Sequence, residues 1–353
     1  MIKLSLILPI YNMEALLPRC VSSIMANNFD NLEIILVNDG STDHSLALCR
    51  QYEAEDSRVI VIDQEDMGLG LARNAGLKRA TGDYVWFIDP DDEIPANAIS
   101  TLISLAAAGD YDVVKGRHLR ISGGEERVNS CRWTEGTVSR NGTAEERERW
   151  RRLKTEWTFG CAWAGIYKKQ FLDRTGVIFD DSYKIFIEDG LFNAKLFANH
   201  PSCYLTEQVV YKYYDNPGSI LNRGGSERAD KLVLLLKVYS AYLNQINAYG
   251  ENLDLLMVFI ARYISWMAFD AASGGLKAIR RIINLFLDSG DVQNALHTSG
   301  SMKCLRRLDR PEDSLFYSVS MFLAKINART LLALLIAVLS PFLGAYSGKN
   351  KRD

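Results

Sequence analysis

The first ninety residues alternate short apolar runs with helical patterns, and no other feature of the sequence constrains the fold as strongly. The apolar runs are continuous, which is typical of strands buried on both faces of a sheet. They are Leu4–Pro9, Leu32–Val37, Val59–Ile62 and Tyr84–Ile88. Between them, apolar residues recur every three or four positions in Ala15–Met25, Ser45–Tyr52 and Leu71–Ala80. This alternation predicts an α/β fold with a mostly parallel central sheet flanked by helices.

Polar residues stand at three of the predicted strand ends. Tyr11 and Asn12 follow the first strand, residues 38–43 follow the second, and Asp89-Pro90-Asp91-Asp92 follows the fourth. In such sheets the ligand lies beyond the carboxyl ends of the strands. We therefore expect these strand ends to converge on one acidic site.

The acidic cluster after the fourth strand is a candidate metal site. Mg²⁺ and Mn²⁺ are held by one or two carboxylates together with phosphate oxygens and water, and Asp89, Asp91 and Asp92 fit that demand. An acidic turn that caps the helix predicted near Pro95 would use the same residues. Three closely spaced acids after a buried strand repel one another unless a cation or solvent relieves them. The position therefore favours a metal site over a cap.

Five motifs in this order resemble those of the inverting glycosyltransferases of family 2, which have the GT-A nucleotide-sugar-binding fold. The resemblance covers roughly Leu4–Ser219. The motifs are LPIYN at 8–12, VNDGSTD at 37–43, GLARNAG at 70–76, FIDPDD at 87–92 and Glu188-Asp189. The resemblance implies a catalytic domain at 1–226, with a nucleotide-binding half at about 1–115 and an acceptor half at about 116–226. A helical C-terminal region at 227–353 is expected to follow it.

The resemblance also implies a UDP-sugar donor, a Mn²⁺ or Mg²⁺ cofactor, and a set of donor residues. Asp39 would accept a hydrogen bond from the base, in a pocket lined by Pro9 and Tyr11. Cytosine lacks the ring N–H that uracil offers, so such a site would reject cytidine nucleotides. In isolation, Asp39-Gly40-Ser41 would be read as an ordinary turn. The other donor residues implied are Asn12, Gly70, Arg73, Asn74, Asp89, Pro90 and Asp91.

Inverting transfer requires a base that takes the proton of the attacking hydroxyl. The resemblance assigns this role to Asp189, with Glu188 as its support or rival. Both acids would equally cap a helix that continues through Phe192. Trp163 and Tyr167 are candidates for an apolar platform under the acceptor sugar, and as aromatic residues they are equally candidates for the core.

The charge balance, the cysteines and the N-terminal residues indicate the class of protein and its cellular compartment. The 41 basic and 43 acidic residues give a net charge of -2, which excludes the strongly basic signature of a dedicated nucleic-acid binder. The six cysteines are scattered, without metal-ligand spacing, and are expected to be reduced. The apolar run that begins at Leu4 is too short for a secretory signal. We therefore expect a cytoplasmic catalytic part.

The apolar tail at 331–346 is interrupted by Ser340 and Pro341 and falls short of a membrane-spanning helix. Basic residues flank it, namely Arg329, Lys349, Lys351 and Arg352. The tail therefore fits an interfacial segment on anionic lipid, and a buried terminal helix is the alternative. The first reading predicts a peripheral enzyme at the inner face of the bacterial plasma membrane.

Several other functions are weaker fits. A dinucleotide-dependent oxidoreductase would carry its glycine-rich turn after the first strand, where Pro9–Asn12 stands here. A phosphatase using Asp89 as nucleophile would show no nucleotide dependence, and a processive synthase would carry membrane spans and a QxxRW signature. A catalytically inactive carbohydrate-binding protein remains the alternative. We predict an enzyme that adds single sugars to a lipid-linked oligosaccharide or a lipopolysaccharide- or capsule-type acceptor.

Overall fold

The protein is described by a computed structural model that covers residues 2–129, 133–153, 160–216, 227–303, 305 and 311–340. These residues fall into two compact units. One comprises Met1–Tyr183 and Ile187–Arg223, and the other comprises Lys184–Phe186 and Gly224–Asp353. The predicted domain boundary at 226, the end of the resemblance at Ser219 and the tail residues 341–346 lie outside the described residues.

The first half of the first unit alternates strands and helices as predicted. Strands β1 to β4 lie side by side in the order β3-β2-β1-β4, and all three pairings are parallel. The strands are β1 (Leu4–Ile10), β2 (Leu32–Asp39), β3 (Val59–Gln64) and β4 (Tyr84–Phe87). The helices between them are α1 (Leu17–Met25), α2 (Ser45–Glu55) and α3 (Leu69–Arg79).

The four strands differ in how far their residues are buried. Every residue of β1, β2 and β4 is buried, as continuous apolar runs predict. In β3 only Val59 is buried, so the prediction of burial on both faces is wrong for Val59–Ile62. The cause is position, because β3 lies at the edge of the sheet beside β2 alone.

The second half of the first unit completes a mixed sheet rather than a mostly parallel one. Strand β8 (Gly165–Lys168) lies antiparallel between β4 and β5 (Val113–Ser122), and β5 in turn pairs in parallel with β9 (Cys203–Tyr214). The remaining elements are α4 (Ala98–Gly109), β6 (Glu125–Val128), β7 (Gly136–Val138), α5 (Ala144–Leu153), α6 (Lys169–Thr175) and α7 (Glu188–Ala198).

The second unit is helical in its described part. Its helices are α8 (Glu227–Gln245), α9 (Tyr249–Asp270), α10 (Gly275–Leu287), α11 (Gly290–His297), α12 (Pro311–Lys325) and α13 (Arg329–Leu339). On α13, Leu332, Ala333 and Ile336 are fully buried, so one face of the predicted tail packs inside the unit.

One helical stretch, Tyr249–Leu287, is long and apolar enough to cross a membrane by length and composition. Of its most apolar window, 67% is buried inside the protein, which describes the core helix of a globular protein equally well.

Candidate active site

The polar strand ends predicted to converge do lie at one edge of the sheet. Ile10 at the end of β1 pairs with Asn38 of β2, and Phe87 at the end of β4 pairs with Ile7 of β1. The first two ends are also joined by side chains. Asn12 Oδ1 accepts a 2.8 Å hydrogen bond from the Thr42 amide, and the Asn12 amide donates to Ser41 Oγ at 3.1 Å.

Asp39 is buried at the end of β2 and holds the loop that follows β3. Its Oδ1 accepts bonds from Gln64 Nε2 at 2.7 Å and from the Met67 amide at 3.0 Å, and its Oδ2 accepts from the Gly68 amide at 2.8 Å. A carboxylate offers about four acceptor positions, so Oδ2 retains one for a ligand. Nearby residues differ in access, since Pro9 is buried within β1 whereas the Tyr11 ring is 45% exposed.

Arg73 on α3 joins the two acidic motifs. Its side chain is 2% exposed; Nη2 lies 2.7 Å from Asp89 Oδ1 and Nη1 lies 2.8 Å from Glu188 Oε1. Burial opposes the charge of Arg73, but Asp89 and Glu188 outweigh it, so the pKa of the guanidinium rises above its already high usual value. Arg73 therefore holds two site carboxylates in place.

The neighbouring motif residues hold the segment Phe179–Tyr183 against α3. Asn74 Nδ2 donates to the Phe179 carbonyl, and the Phe179 amide donates back to Asn74 Oδ1, both at 2.9 Å. A Cβ on Gly70 would lie 2.1 Å from the Asp180 carbonyl oxygen, so only glycine permits this approach. Asn74 and Gly70 thus both contact the main chain of this segment.

The end of this segment lies over the loop that Asp39 holds. Ser182 Oγ accepts a 3.4 Å bond from the Gly70 amide, and the Tyr183 hydroxyl donates to the Asp66 carboxylate. That bond raises the pKa of Tyr183, which is 54% exposed. Sequence reasoning missed Asp66 and Tyr183, because they are 117 residues apart and neither belongs to a motif.

The three acids after β4 differ in their surroundings. Asp89 gives one oxygen to Arg73, and Asp91 Oδ2 accepts a 3.1 Å bond from Asn216 Nδ2, which leaves one oxygen of each for another ligand. Pro90 between them is buried. Burial first, and then the charge of Asp89, raise the pKa of Asp91.

Asp92 faces the interior. It is 1% exposed, its Oδ1 accepts a 2.8 Å bond from the Tyr214 amide, and its Oδ2 is buried without a hydrogen-bond partner in the described structure. Burial and the two neighbouring acids raise the pKa of Asp92 well above its usual value. Among the described residues, no three His, Cys, Asp or Glu side chains are grouped to hold a metal ion. Asp92 therefore does not join Asp89 and Asp91 in the predicted three-acid cluster.

Glu188 and Asp189 begin α7, behind a residue in an uncommon conformation. Ile187 has φ 64° and ψ 53°, a left-handed backbone that β-branched residues rarely adopt. Burial raises the pKa of Glu188 to about 7, against the opposing charge of Arg73. Burial likewise raises the pKa of Asp189, whose Oδ1 accepts a 2.8 Å bond from the Gly190 amide. Asp189 retains partial exposure, whereas Glu188 is buried on Arg73.

The two aromatic residues predicted as an acceptor platform are core residues. Tyr167 is fully buried, with its hydroxyl bonded to the Ala162 carbonyl and to Asn193 Oδ1. Trp163 is 7% exposed and stacks on Tyr211, with ring centroids 4.5 Å apart. The platform prediction is corrected for Tyr167, because a side chain without exposed surface cannot receive a sugar.

Comparison with known proteins agrees with this arrangement. Residues 5–176 match the sequence model of the family described as Glycosyl transferase family 2. The uncharacterised glycosyltransferase EpsJ of Bacillus subtilis is 29% identical over 87% of this chain and 90% of its own length. The uncharacterised glycosyltransferase YibD of Escherichia coli is 29% identical over 70% of this chain and 74% of its own.

A solved structure shows the same fold. Residues 1–349 of TarS from S. aureus, crystallised in complex with UDP-GlcNAc, superpose with a TM-score of 0.74 at 19% identity, over 96% of this chain and 92% of that one. The family, the fold and the enzyme class predicted from the five motifs are confirmed. Residues 5–176 of this chain therefore form a family 2 glycosyltransferase domain, and the chain has the GT-A fold.

Proposed function

We propose that this enzyme transfers one sugar, with inversion, from a UDP-sugar to a hydroxyl of a lipid-linked oligosaccharide or a lipopolysaccharide- or capsule-type acceptor. The observation that carries the proposal is the position of Arg73, bonded to Asp89 on one side and to Glu188 on the other. One guanidinium thus ties the acidic turn after β4 to the acidic start of α7. Inverting transfer needs charge stabilisation at the leaving group and a base at the attacking hydroxyl, and these two motifs are suited to the two tasks.

The residues at the end of β2 support a UDP-sugar as the donor. Asp39 keeps one acceptor position on Oδ2, and the exposed ring of Tyr11 follows the adjacent strand. A carboxylate acceptor beside an aromatic ring suits a base that presents a ring N–H, as uracil does. The complex of TarS with UDP-GlcNAc supports the same donor class on the same fold.

Asp89 and Asp91 fit a Mn²⁺ or Mg²⁺ ion. Each has one oxygen left by its protein partner, and a hard cation bound by two carboxylates takes its other ligands from phosphate and water. Such an ion, when bound, supplies positive charge beside the departing diphosphate. Asp92 is left out of this set because its side chain is buried and accepts a bond from the Tyr214 amide.

Asp189 is the proposed base. Glu188 is committed to Arg73, whereas Asp189 keeps partial exposure and hydrogen-bonds locally to the Gly190 amide. Its raised pKa makes it a stronger base than an ordinary carboxylate, closer to the pH at which it must accept a proton. Glu188 positions Arg73. The negative charges of Glu188 and Asp189 also repel each other, so this pair of carboxyl groups stays protonated up to a higher pH.

The test is UDP release by the purified full-length protein over a panel of UDP-, GDP- and CDP-sugars, with Mn²⁺, with Mg²⁺ and with EDTA. We expect turnover or binding of one or more UDP-sugars, loss of turnover in EDTA, and recovery when either metal is restored. Turnover of CDP- or GDP-sugars without any response to UDP-sugars would overturn the donor assignment. Full activity in EDTA would overturn the role given to Asp89 and Asp91.

A further inference from the structure

Two helices of the second unit carry apolar residues on their exposed faces. The residues recur at helical spacings of three and four, so they form one stripe on each helix. Their exposed fractions lie between 39% and 68%. The α12 stripe is Leu315, Val319 and Phe322, extended by Ile326 directly after the helix, and the α13 stripe is Leu331, Leu334 and Val338.

These stripes lie opposite faces that are already buried. On α12, Met321 and Ala324 are fully buried and Tyr317 nearly so, and on α13 the buried residues include Leu332 and Ile336. An ordinary surface helix has one apolar face and one polar face. Here the protein covers one face of each helix, and the other face is apolar as well. Exposed apolar residues grouped in this way are typical of an interaction site.

The charge of this region selects the partner. Residues 311–353 contain five basic side chains, Lys325, Arg329, Lys349, Lys351 and Arg352, and three acidic ones, Glu312, Asp313 and Asp353, all of which lie outside the stretch 315–338 that carries the two stripes. Lys325 and Arg329 flank the short turn between the two helices, and Arg329 is bonded at 2.6 Å to Asp288. A second copy of the same surface would bring like charges together, whereas an anionic surface attracts them.

We propose that the exposed stripes of α12 and α13 dock in the interface of an anionic lipid bilayer. Helices of 15 and 11 residues are about 22 and 16 Å long, about half to three-quarters of a hydrocarbon core, so they lie in the surface and do not cross it. An apolar face with basic residues beside it is the pattern of interfacial helices. This deepens the proposed function, because a lipid-linked acceptor is carried in the same surface.

The test is co-flotation of the full-length protein with phosphatidylcholine vesicles, with and without phosphatidylglycerol. We expect binding to the anionic vesicles that weakens as salt rises. The triple variant Leu315→Gln, Phe322→Gln, Val338→Gln should bind about tenfold more weakly, because its apolar contribution is reduced. The matched control is Val128→Gln with Leu276→Gln, which removes apolar residues of similar exposure elsewhere and should float like wild type.

A second variant keeps the surface apolar and reports its position. Vesicles with brominated acyl chains should quench more of the tryptophan fluorescence of bound Phe322→Trp than of bound wild type, which has six tryptophans of its own. Equal flotation of the triple variant and wild type would overturn the proposal, as would bound Phe322→Trp protein that is quenched no more than bound wild type. Dimers of wild type that dissociate in the triple variant, without vesicle binding, would replace lipid with a second copy as the occupant.

Flotation needs no glycosyl transfer, so the two proposals fail separately. A protein that floats but turns over no UDP-sugar would remove the proposed function and keep the membrane surface. A protein that turns over UDP-sugar and ignores anionic vesicles would do the reverse.

Discussion

The guanidinium of Arg73 and the carboxylate of Glu188 meet at 2.8 Å in the interior, although 115 residues separate them in the chain. A buried ion pair of this kind contributes little net stability compared with apolar packing, but removal of one partner strands a buried charge. The pair therefore acts mainly on geometry. It fixes the start of α7 relative to α3 and to the acidic turn after β4.

Replacement of Arg73 should damage both stability and activity. Arg73→Met leaves Asp89 and Glu188 without their shared partner, which should lower the free energy of unfolding by about 3 kcal/mol. Because the acids would also move, kcat should fall by about 100-fold. Arg73→Lys keeps the charge but loses the fork that reaches both acids, so it should give an intermediate result.

The matched control for Arg73 is Arg127→Met, which breaks an exposed pair with Glu125 and should cost less than about 1 kcal/mol. Urea unfolding and steady-state kinetics give the two measurements. If Arg73→Met keeps wild-type kcat, the positioning role is wrong.

The acid pair should set the pH dependence of transfer. The pKa of Glu188 is raised to about 7, and that of Asp189 is raised above its ordinary value, mainly by burial. The base must be unprotonated, so kcat/KM should decline on the acidic side at a higher pH than an ordinary aspartate would give. Glu188→Gln removes a neighbouring negative charge, which lowers the pKa of Asp189 and should move the acidic limb to lower pH.

Asp189→Asn should abolish transfer at every pH while UDP binding, measured by calorimetry, is kept. The control Asp173→Asn removes a surface acid paired with Lys169 and should leave the profile unchanged. An acidic limb that stays in place in Glu188→Gln would show that the pair does not control it, and unchanged transfer by Asp189→Asn would reassign the base.

The acids after β4 should separate into two classes. Asp91→Asn should abolish the metal response, because it removes one of two open carboxylates. Asp92→Asn should keep it, because an amide oxygen can still accept the bond from the Tyr214 amide and burial already opposes a negative charge at this position. Mn²⁺ titration of UDP release measures both. Loss of the metal response in Asp92→Asn with unchanged thermal stability would restore the three-acid site.

Gly70 should tolerate no side chain. An alanine Cβ would stand 2.1 Å from the Asp180 carbonyl oxygen, so the segment Phe179–Tyr183 would have to move away from α3. We expect Gly70→Ala to raise the KM for the donor and to lower kcat, because Glu188 packs beside the same glycine. Gly250→Ala is the control, since that position in α9 is open and the change should be neutral or stabilising. Wild-type kinetics in Gly70→Ala would show that the close approach of Gly70 to the Asp180 carbonyl is not needed for activity.

The sequence was sufficient for features that depend on local pattern. Continuous apolar runs located the first four strands, and their polar ends located Asp39 and Asp89 at one edge of the sheet. The sequence did not predict that β3 is the outermost strand of the sheet, because Val59–Ile62 has the same composition as a central strand. Strand order depends on packing between distant segments, which local pattern does not encode.

Contacts with distant partners could not be predicted either. Motif resemblance placed Arg73 and Asn74 in the donor pocket, but it did not indicate their partners, Glu188 and the main chain of Phe179, which lie more than a hundred residues away in the chain. Similarly, Asp92 and Asp91 are adjacent in sequence but differ in burial, and Asp92 accepts a bond from the Tyr214 amide of β9 whereas Asp91 accepts one from Asn216. A motif identifies the residues of a site. Only the fold shows which of these residues are open to a ligand and which ones position their neighbours.

Asn74 and Gly70 both meet main-chain atoms of the segment that begins at Phe179, and such contacts are blind to the identity of side chains. Substitution of Ser182 or Tyr183 would remove their own side-chain bonds to Gly70 and Asp66 but would leave these main-chain contacts in place. The two positions therefore offer an engineer, or evolution, a way to alter the surface over the Asp39 loop while the segment stays docked on α3.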